Sequence, residues 1–295
     1  MSSNSESYLD WADKGRSSFF IYMIGFILIV LFWLLLGEFF SAPIRSPVQA
    51  VFGESVAGTL LTDFSSFLPA LIVVPLATKY LLARPWWSFG FPNLKPDFSV
   101  FALAVLVSLA VSLLVTLGFG LTGLLQIKLQ LPNAREFLIV LAISCVGFLV
   151  QTSAEEFLFR GYLTQFARRF FTSPLLFIGI PSLLFAAPHF ANVASARGHW
   201  YALLPYLAYG VLLGWFAYRT GALWVAIGLH WANNLGNMVL VGTDIDSLPT
   251  VAPIIVSQPT FEMATAMTLV STALIFAIME FLLRKKRGMH AKLVL

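Results

Sequence analysis

Eight apolar runs, each long enough to cross a bilayer, leave this chain little choice of fold. Runs of roughly 18 or more apolar residues mark transmembrane helices. They fall at about 18–40, 57–78, 99–125, 137–165, 172–191, 200–218, 221–241 and 263–283. The expected fold is therefore all-α, a polytopic transmembrane helical bundle of about eight spans. Only 11% of the 295 residues are charged and 59% are hydrophobic. Mean hydropathy is +0.85, whereas ordinary globular domains are about one-quarter charged. Length alone suggests two soluble domains, but the apolar fraction points to a single membrane domain over 18–283. A polar, mobile N-terminal tail over 1–17 and a basic tail over 284–295 flank it.

The net charge of +4 and the pI near 9.3 do not imply a nucleic-acid partner, because the basic residues sit in short loops and one tail. They read instead as topology signals. With a cytoplasmic N-terminus, the inner segments hold Lys14, Arg16, Lys79, Arg84, Lys95, Arg168, Arg169, Arg219, Arg284, Lys285, Lys286, Arg287 and Lys292. The outer loops hold Arg45, Lys128, Arg135 and Arg197. That bias predicts both termini inside and an even number of spans. The acidic start (Glu6, Asp10, Asp13) lacks the basic region of a cleavable signal peptide. The one cysteine, Cys145, excludes an intramolecular disulfide and a cysteine-rich metal site, and reads as a small buried hydrophobe.

Against this background the polar groups inside the spans stand out, since ionisable residues at membrane depth persist where they pair or do chemistry. The segment Glu155-Glu156-Phe157-Leu158-Phe159-Arg160 carries two carboxylates and an arginine. Residues four apart share a helix face, so Glu156 and Arg160 can pair. Glu155 is rotated about 100° away and stays free for chemistry. A buried ion pair joining helices explains the segment equally well on its own. His189 ends Phe185-Ala186-Ala187-Pro188-His189, where Pro188 kinks a membrane helix. His230 and Asn234 lie four apart in His230-Trp231-Ala232-Asn233-Asn234, so both can face one small volume. Asn234 is a neutral donor suited to a developing oxyanion. Asn233 and Asn237 read as interhelical hydrogen-bonding residues.

Glu-Glu-x-x-x-Arg, Phe-x-x-x-His and His-x-x-x-Asn, in this order on three membrane helices, resemble the motifs of the CPBP family. These are the CAAX-processing and bacteriocin-processing intramembrane proteases, also called Abi or Rce1-like. The resemblance covers about 137–241 and no motif position departs from it. It implies a peptidase whose Glu155 activates water, with His189 helping to position it. It also implies His230 and Asn234 on the oxyanion side, and Arg160 steadying Glu156. The family is also described as zinc metalloproteases, which makes Glu155, His189 and His230 a candidate Zn2+ set. A metal-free scheme uses the same residue types.

The implied partners are membrane lipid and a peptide or protein substrate, lipidated or bacteriocin-like, at the plasma membrane if the source is bacterial. Other membrane proteases are excluded by absence: there is no His-Glu-x-x-His, Gly-x-Ser-Gly or Gly-x-Gly-Asp. Two competing readings remain, a non-catalytic membrane scaffold of the same fold and a proton-coupled transporter. Glu280 and Glu38 read as interhelical or interfacial residues. One tension stands: straight spans place Glu155 and His189 towards opposite ends, and Pro181 and Pro188 offer the means to bring them together.

Overall fold

The computed structural model describes residues 7–53, 55–190, 203–243, 250–257 and 259–293, without the side chains of 287–293. The loop containing Arg197, the first six residues and most of the basic tail's side chains therefore lie outside the described residues.

The expected helical membrane bundle is what forms. Its elements are α1 (Phe19–Phe52), α2 (Val56–Ser65), α3 (Leu68–Leu76), α4 (Phe98–Leu121), α5 (Ala134–Glu156), α6 (Thr164–Phe170), α7 (Pro174–Ala186), α8 (Leu204–Thr220), α9 (Trp224–Val239) and α10 (Phe261–Leu293). Turns of π-helix, Ala77–Leu81 and Phe157–Leu163, extend α3 and join α5 to α6. Helix starts follow local chemistry. Ser18, Ser55, Asp97 and Asn133 each accept a backbone N–H of the first turn, which offsets part of the cost of unpaired donors there. Gly221 ends α8 in the left-handed region at φ 73°, where a Cβ would be strained.

Among the described residues, five helical stretches are long and apolar enough to cross a membrane: Phe19–Phe52, Val56–Leu81, Phe98–Leu121, Ala134–Phe170 and Phe261–Lys286. The other three expected spans are helices of only 13, 17 and 16 residues, namely α7, α8 and α9. At 1.5 Å per residue α7 reaches about 20 Å, short of the roughly 30 Å hydrocarbon core. Of the three, α9 is the inner one, whereas α7 still shows Leu175 and Leu183 outward. α9 packs most extensively against α4 and α5, and α8 against α7. α1 is the opposite case: it runs twelve residues past its expected end, through Pro43 and Pro47, and shows Phe20, Leu34, Leu35 and Phe39 outward.

Two features depart from expectation. A small three-stranded sheet sits in segments read as loops: β1 (Gln126–Leu129), β2 (Val241–Thr243) and β3 (Ile254–Ser257). Its order is β1-β3-β2, with β1 antiparallel to β3 and β2 parallel to it. Strands of three or four residues carry too little periodicity to be seen in a sequence.

The second departure is a correction. The start expected to be a mobile tail is, from residue 7, a packed element. Tyr8–Trp11 form a 3-10 turn closed by Ser7 and Asp10 in a capping box, and Tyr8, Leu9 and Ala12 are buried. Tyr8 N–H donates to the Gly221 carbonyl at 3.0 Å, and Arg16 N–H to that of Leu82 at 2.8 Å. Gln165 Nε2 donates to the Tyr8 carbonyl at 2.6 Å. Arg84 donates to the Trp11 carbonyl. Composition explains it, since Tyr8, Leu9 and Trp11 are apolar residues inside a polar stretch.

Candidate active site

Glu155 and Glu156 are the last two residues of α5, and the chain then widens into the π-helical turn that carries Arg160. Single π-turns inside α-helices often accompany functional sites, because they re-aim side chains. Here Arg160 Nη1 still reaches Glu156 Oε1 at 2.9 Å, with both side chains essentially unexposed. Arg160 also donates through Nη2 to the Gly210 carbonyl at 3.3 Å. Its guanidinium lies 4.1 Å from the centre of the Phe185 ring. A charge removed from water needs this much compensation.

His230, buried on α9, bridges the two glutamates. Its Nδ1 lies 2.8 Å from Glu156 Oε1. A carboxylate paired with arginine accepts, so Nδ1 carries the proton and Nε2 presents its lone pair. That Nε2 is 3.7 Å from Glu155 Oε2, too long for a direct hydrogen bond and suited to one bridging water. Glu155 Oε1 accepts from Gln151 Nε2 at 3.4 Å. Glu155 is therefore partnered, though more loosely than Glu156.

Phe185 organises the second motif. Its ring centre is 5.7 Å from that of His230 and 5.1 Å from that of His189. Both imidazoles thus lie against one phenyl ring, and the expected separation of Glu155 from His189 does not arise. Phe185, one turn before His189 on the same helical stretch, links the two imidazoles. His189 Nδ1 bonds the Phe185 carbonyl at 2.9 Å, and the ring stacks on Tyr206 at 4.1 Å.

Residues 133–236, which hold all of these motifs, match the family model described as Type II CAAX prenyl endopeptidase Rce1-like. Over 220 residues the chain is also 28% identical to the uncharacterized protein YyaK of Bacillus subtilis (strain 168), covering 73% of this chain and 74% of that one. No solved structure matches at a significant level. These findings agree with the CPBP resemblance over the segment that carries the motifs.

Within the matched segment the expected site residues are gathered unequally. Glu155, Glu156, Arg160 and His230 form one contiguous cluster. His189 joins it through Phe185. Asn234 lies one turn beyond His230, and its Oδ1 accepts from Asn233 Nδ2 at 3.4 Å, which leaves its own amide N–H groups as donors. The candidate zinc set is not assembled. Among the described residues no group of three His, Cys, Asp or Glu side chains can hold a metal ion. His189 uses Nδ1 on the Phe185 carbonyl, which leaves Nε2 as its open ring nitrogen.

Three contributors escape the motif reading. Gln151 sits one turn before Glu155 on the same face, a spacing that could have revealed it. Gly210 and Tyr206 come from α8, and nothing in their local sequence marks them. Gly210 leaves room for α7: a Cβ there would lie 3.2 Å from Ser182 Cβ and 3.4 Å from Arg160 Nη2.

Proposed function

We propose that this chain is an intramembrane endopeptidase that hydrolyses a peptide bond of a membrane-associated peptide or protein, with Glu155 as the base. The observation that carries the reading is the 3.7 Å gap between Glu155 Oε2 and His230 Nε2. A water held there donates one hydrogen to the carboxylate and the other to the imidazole lone pair. Glu155 takes the first proton as the water oxygen bonds the scissile carbonyl carbon, and the carbonyl electron pair moves onto its oxygen. The Asn234 amide, on the same face of α9, is the neutral donor for that oxyanion. Collapse breaks the C–N bond, and Glu155 returns its proton to the leaving amine.

Glu156 and Arg160 do different work. Glu156 fixes the tautomer of His230 by accepting from Nδ1, and Arg160 holds Glu156 in place. His189, beside Phe185 and Tyr206, borders the space where substrate and water arrive. The family description favours a substrate that is a protein with a lipidated C-terminus. A bacteriocin-like leader is the alternative class.

Proteomics of membranes from cells carrying the wild type, Glu155→Ala and His230→Ala tests this. The expected result is the same uncleaved precursor accumulating with both variants. Identical peptide profiles in all three would overturn the reading and favour a scaffold. Activity of the purified protein should survive a strong chelator. A loss that Zn2+ restores would replace the water scheme with a metal one.

A further inference from the structure

The reach of His230 depends on the backbone that carries it, and three helices grip that backbone between Gly228 and Trp231. At Gly228 the main chain of α9 lies against α4. A Cβ there would fall 2.8 Å from the Phe101 carbonyl oxygen and 3.1 Å from Ala104 Cβ. At Trp231 the indole Nε1 donates to the Cys145 carbonyl of α5 at 3.0 Å. Between these two, the buried Tyr209 of α8 donates its phenol to the Leu229 carbonyl at 2.7 Å.

The third tie is the one closest to the chemistry. Leu229 lies inside α9, where its carbonyl already serves the helical ladder. The phenol takes the second lone pair of that oxygen, so the helix does not need this donor in order to form. The carbonyl belongs to the peptide unit that ends in the His230 nitrogen. The Tyr209 ring also stands nearly perpendicular to the imidazole, with centres 6.2 Å apart and planes at 76°. Phe185 stands in the same way at 5.7 Å and 86°, so two rings flank the imidazole. The next residue of α8, Gly210, accepts from Arg160 Nη2 at 3.3 Å. Adjacent residues of α8 therefore hold the backbone of the histidine and the arginine that pairs with Glu156.

We propose that Tyr209 is a positioning residue of this site. Through the Leu229 carbonyl it sets the height and ring plane of His230, and with them the 3.7 Å gap between Nε2 and Glu155 Oε2. It acts through His230 and not on the reacting atoms. A water bridging that gap needs both of its acceptors in place, and a misplacement of about 1 Å can cost about 100-fold in rate.

The inference rests on the peptidase reading for its kinetic consequence only. Tyr209→Phe keeps the ring and removes the donor. In the full-length protein in lipid bilayers, kcat per folded enzyme should fall about tenfold with KM unchanged, the upper range for one neutral hydrogen bond expressed wholly in the barrier. In protein labelled with 15N-histidine, the His230 ring resonances should shift with the same substitution. Tyr22→Phe is the control, because it removes the same kind of bond, a buried phenol on the Ala12 carbonyl at 3.2 Å, away from the site. It should lower the thermal midpoint and leave both kcat and the His230 resonances in place. Unchanged His230 resonances in Tyr209→Phe overturn the proposal, as does a kcat near that of the wild type or an equal fall in Tyr22→Phe. If no substrate is cleaved even by the wild type, the peptidase reading fails while the resonances still decide this one.

Discussion

Two buried carboxylate clusters in this bundle use similar parts for different ends. Glu280, on α10, accepts from Trp215 Nε1 at 2.9 Å and Arg219 Nε at 3.3 Å on one oxygen. Arg284 Nε, at 3.0 Å, takes the other. Every oxygen is paired, both cations are arginines, and the result ties α8 to α10. The glutamate pair on α5 also has an arginine, but its second partner is an imidazole. One of its oxygens is orphaned and another faces a 3.7 Å gap. A closed network holds helices together. A network with an imidazole, a gap and a spare acceptor can move a proton. The difference is legible only in the geometry, because in sequence both are simply glutamates near arginines in apolar company.

Glu155→Gln should break the comparison most. General bases contribute about 10²–10⁴ in rate, so kcat/KM should drop by at least about 100-fold. The thermal midpoint should barely move, because the new amide oxygen can still accept from Gln151. A Glu155→Gln variant that still cleaves at near wild-type rate would reduce the α5 cluster to another structural tie.

Arg160→Met should act on stability first. It strands Glu156 in a dry interior, a class of change costing about 3–5 kcal/mol, measurable as loss of folded protein on denaturant titration in detergent. Adding Glu156→Leu should recover much of that stability but no activity, since His230 then lacks the acceptor that sets its tautomer. Recovery of both would show that Glu156 serves packing alone. Glu280→Gln should cost less, about 1–2 kcal/mol, because the amide oxygen can still accept from Trp215 and the exposed Arg284 can turn to water. Its cleavage rate should stay within a factor of two to three of the wild type, and a larger loss would erase the distinction between the clusters.

How much of this was readable beforehand divides along the same line. The helices and their order were legible because apolar runs are long and unbroken, and the pairing of Glu156 with Arg160 followed from their spacing of four. The approach of His189 to His230 was not, because it runs through the Phe185 ring that both imidazoles meet, a tertiary contact that spacing does not encode. Gly210 and Tyr206 were invisible for a related reason: they matter only through the way α8 crosses α7. Tyr8 was hidden by its setting, an apolar residue in a stretch whose average is polar. The zinc set was beyond a sequence reading, because order along the chain shows which donors exist but not where their rings turn.

The smallest expected effect lies outside the bundle core, at Asp97, the N-cap of α4. This carboxylate has neither gap nor imidazole, and so serves as a third point in the comparison. Partial burial pushes its carboxyl up, but the Ser99 hydroxyl at 2.6 Å, the Val100 N–H and the Lys286 ammonium at 3.9 Å together hold it below the ordinary aspartate range. A depressed folded-state value means that the stabilisation is present above the unfolded value. It is lost as pH falls through the folded one. Asp97→Asn keeps the capping oxygen, so at neutral pH stability should change by no more than about 0.5 kcal/mol. The variant should instead lose part of the acid-induced fall in thermal midpoint seen in the wild type, and its cleavage rate should be untouched. If Asp97→Asn altered the rate as well, the fully paired carboxylates could no longer be separated from the one with an unfilled gap, and the criterion that singles out Glu155 would fail.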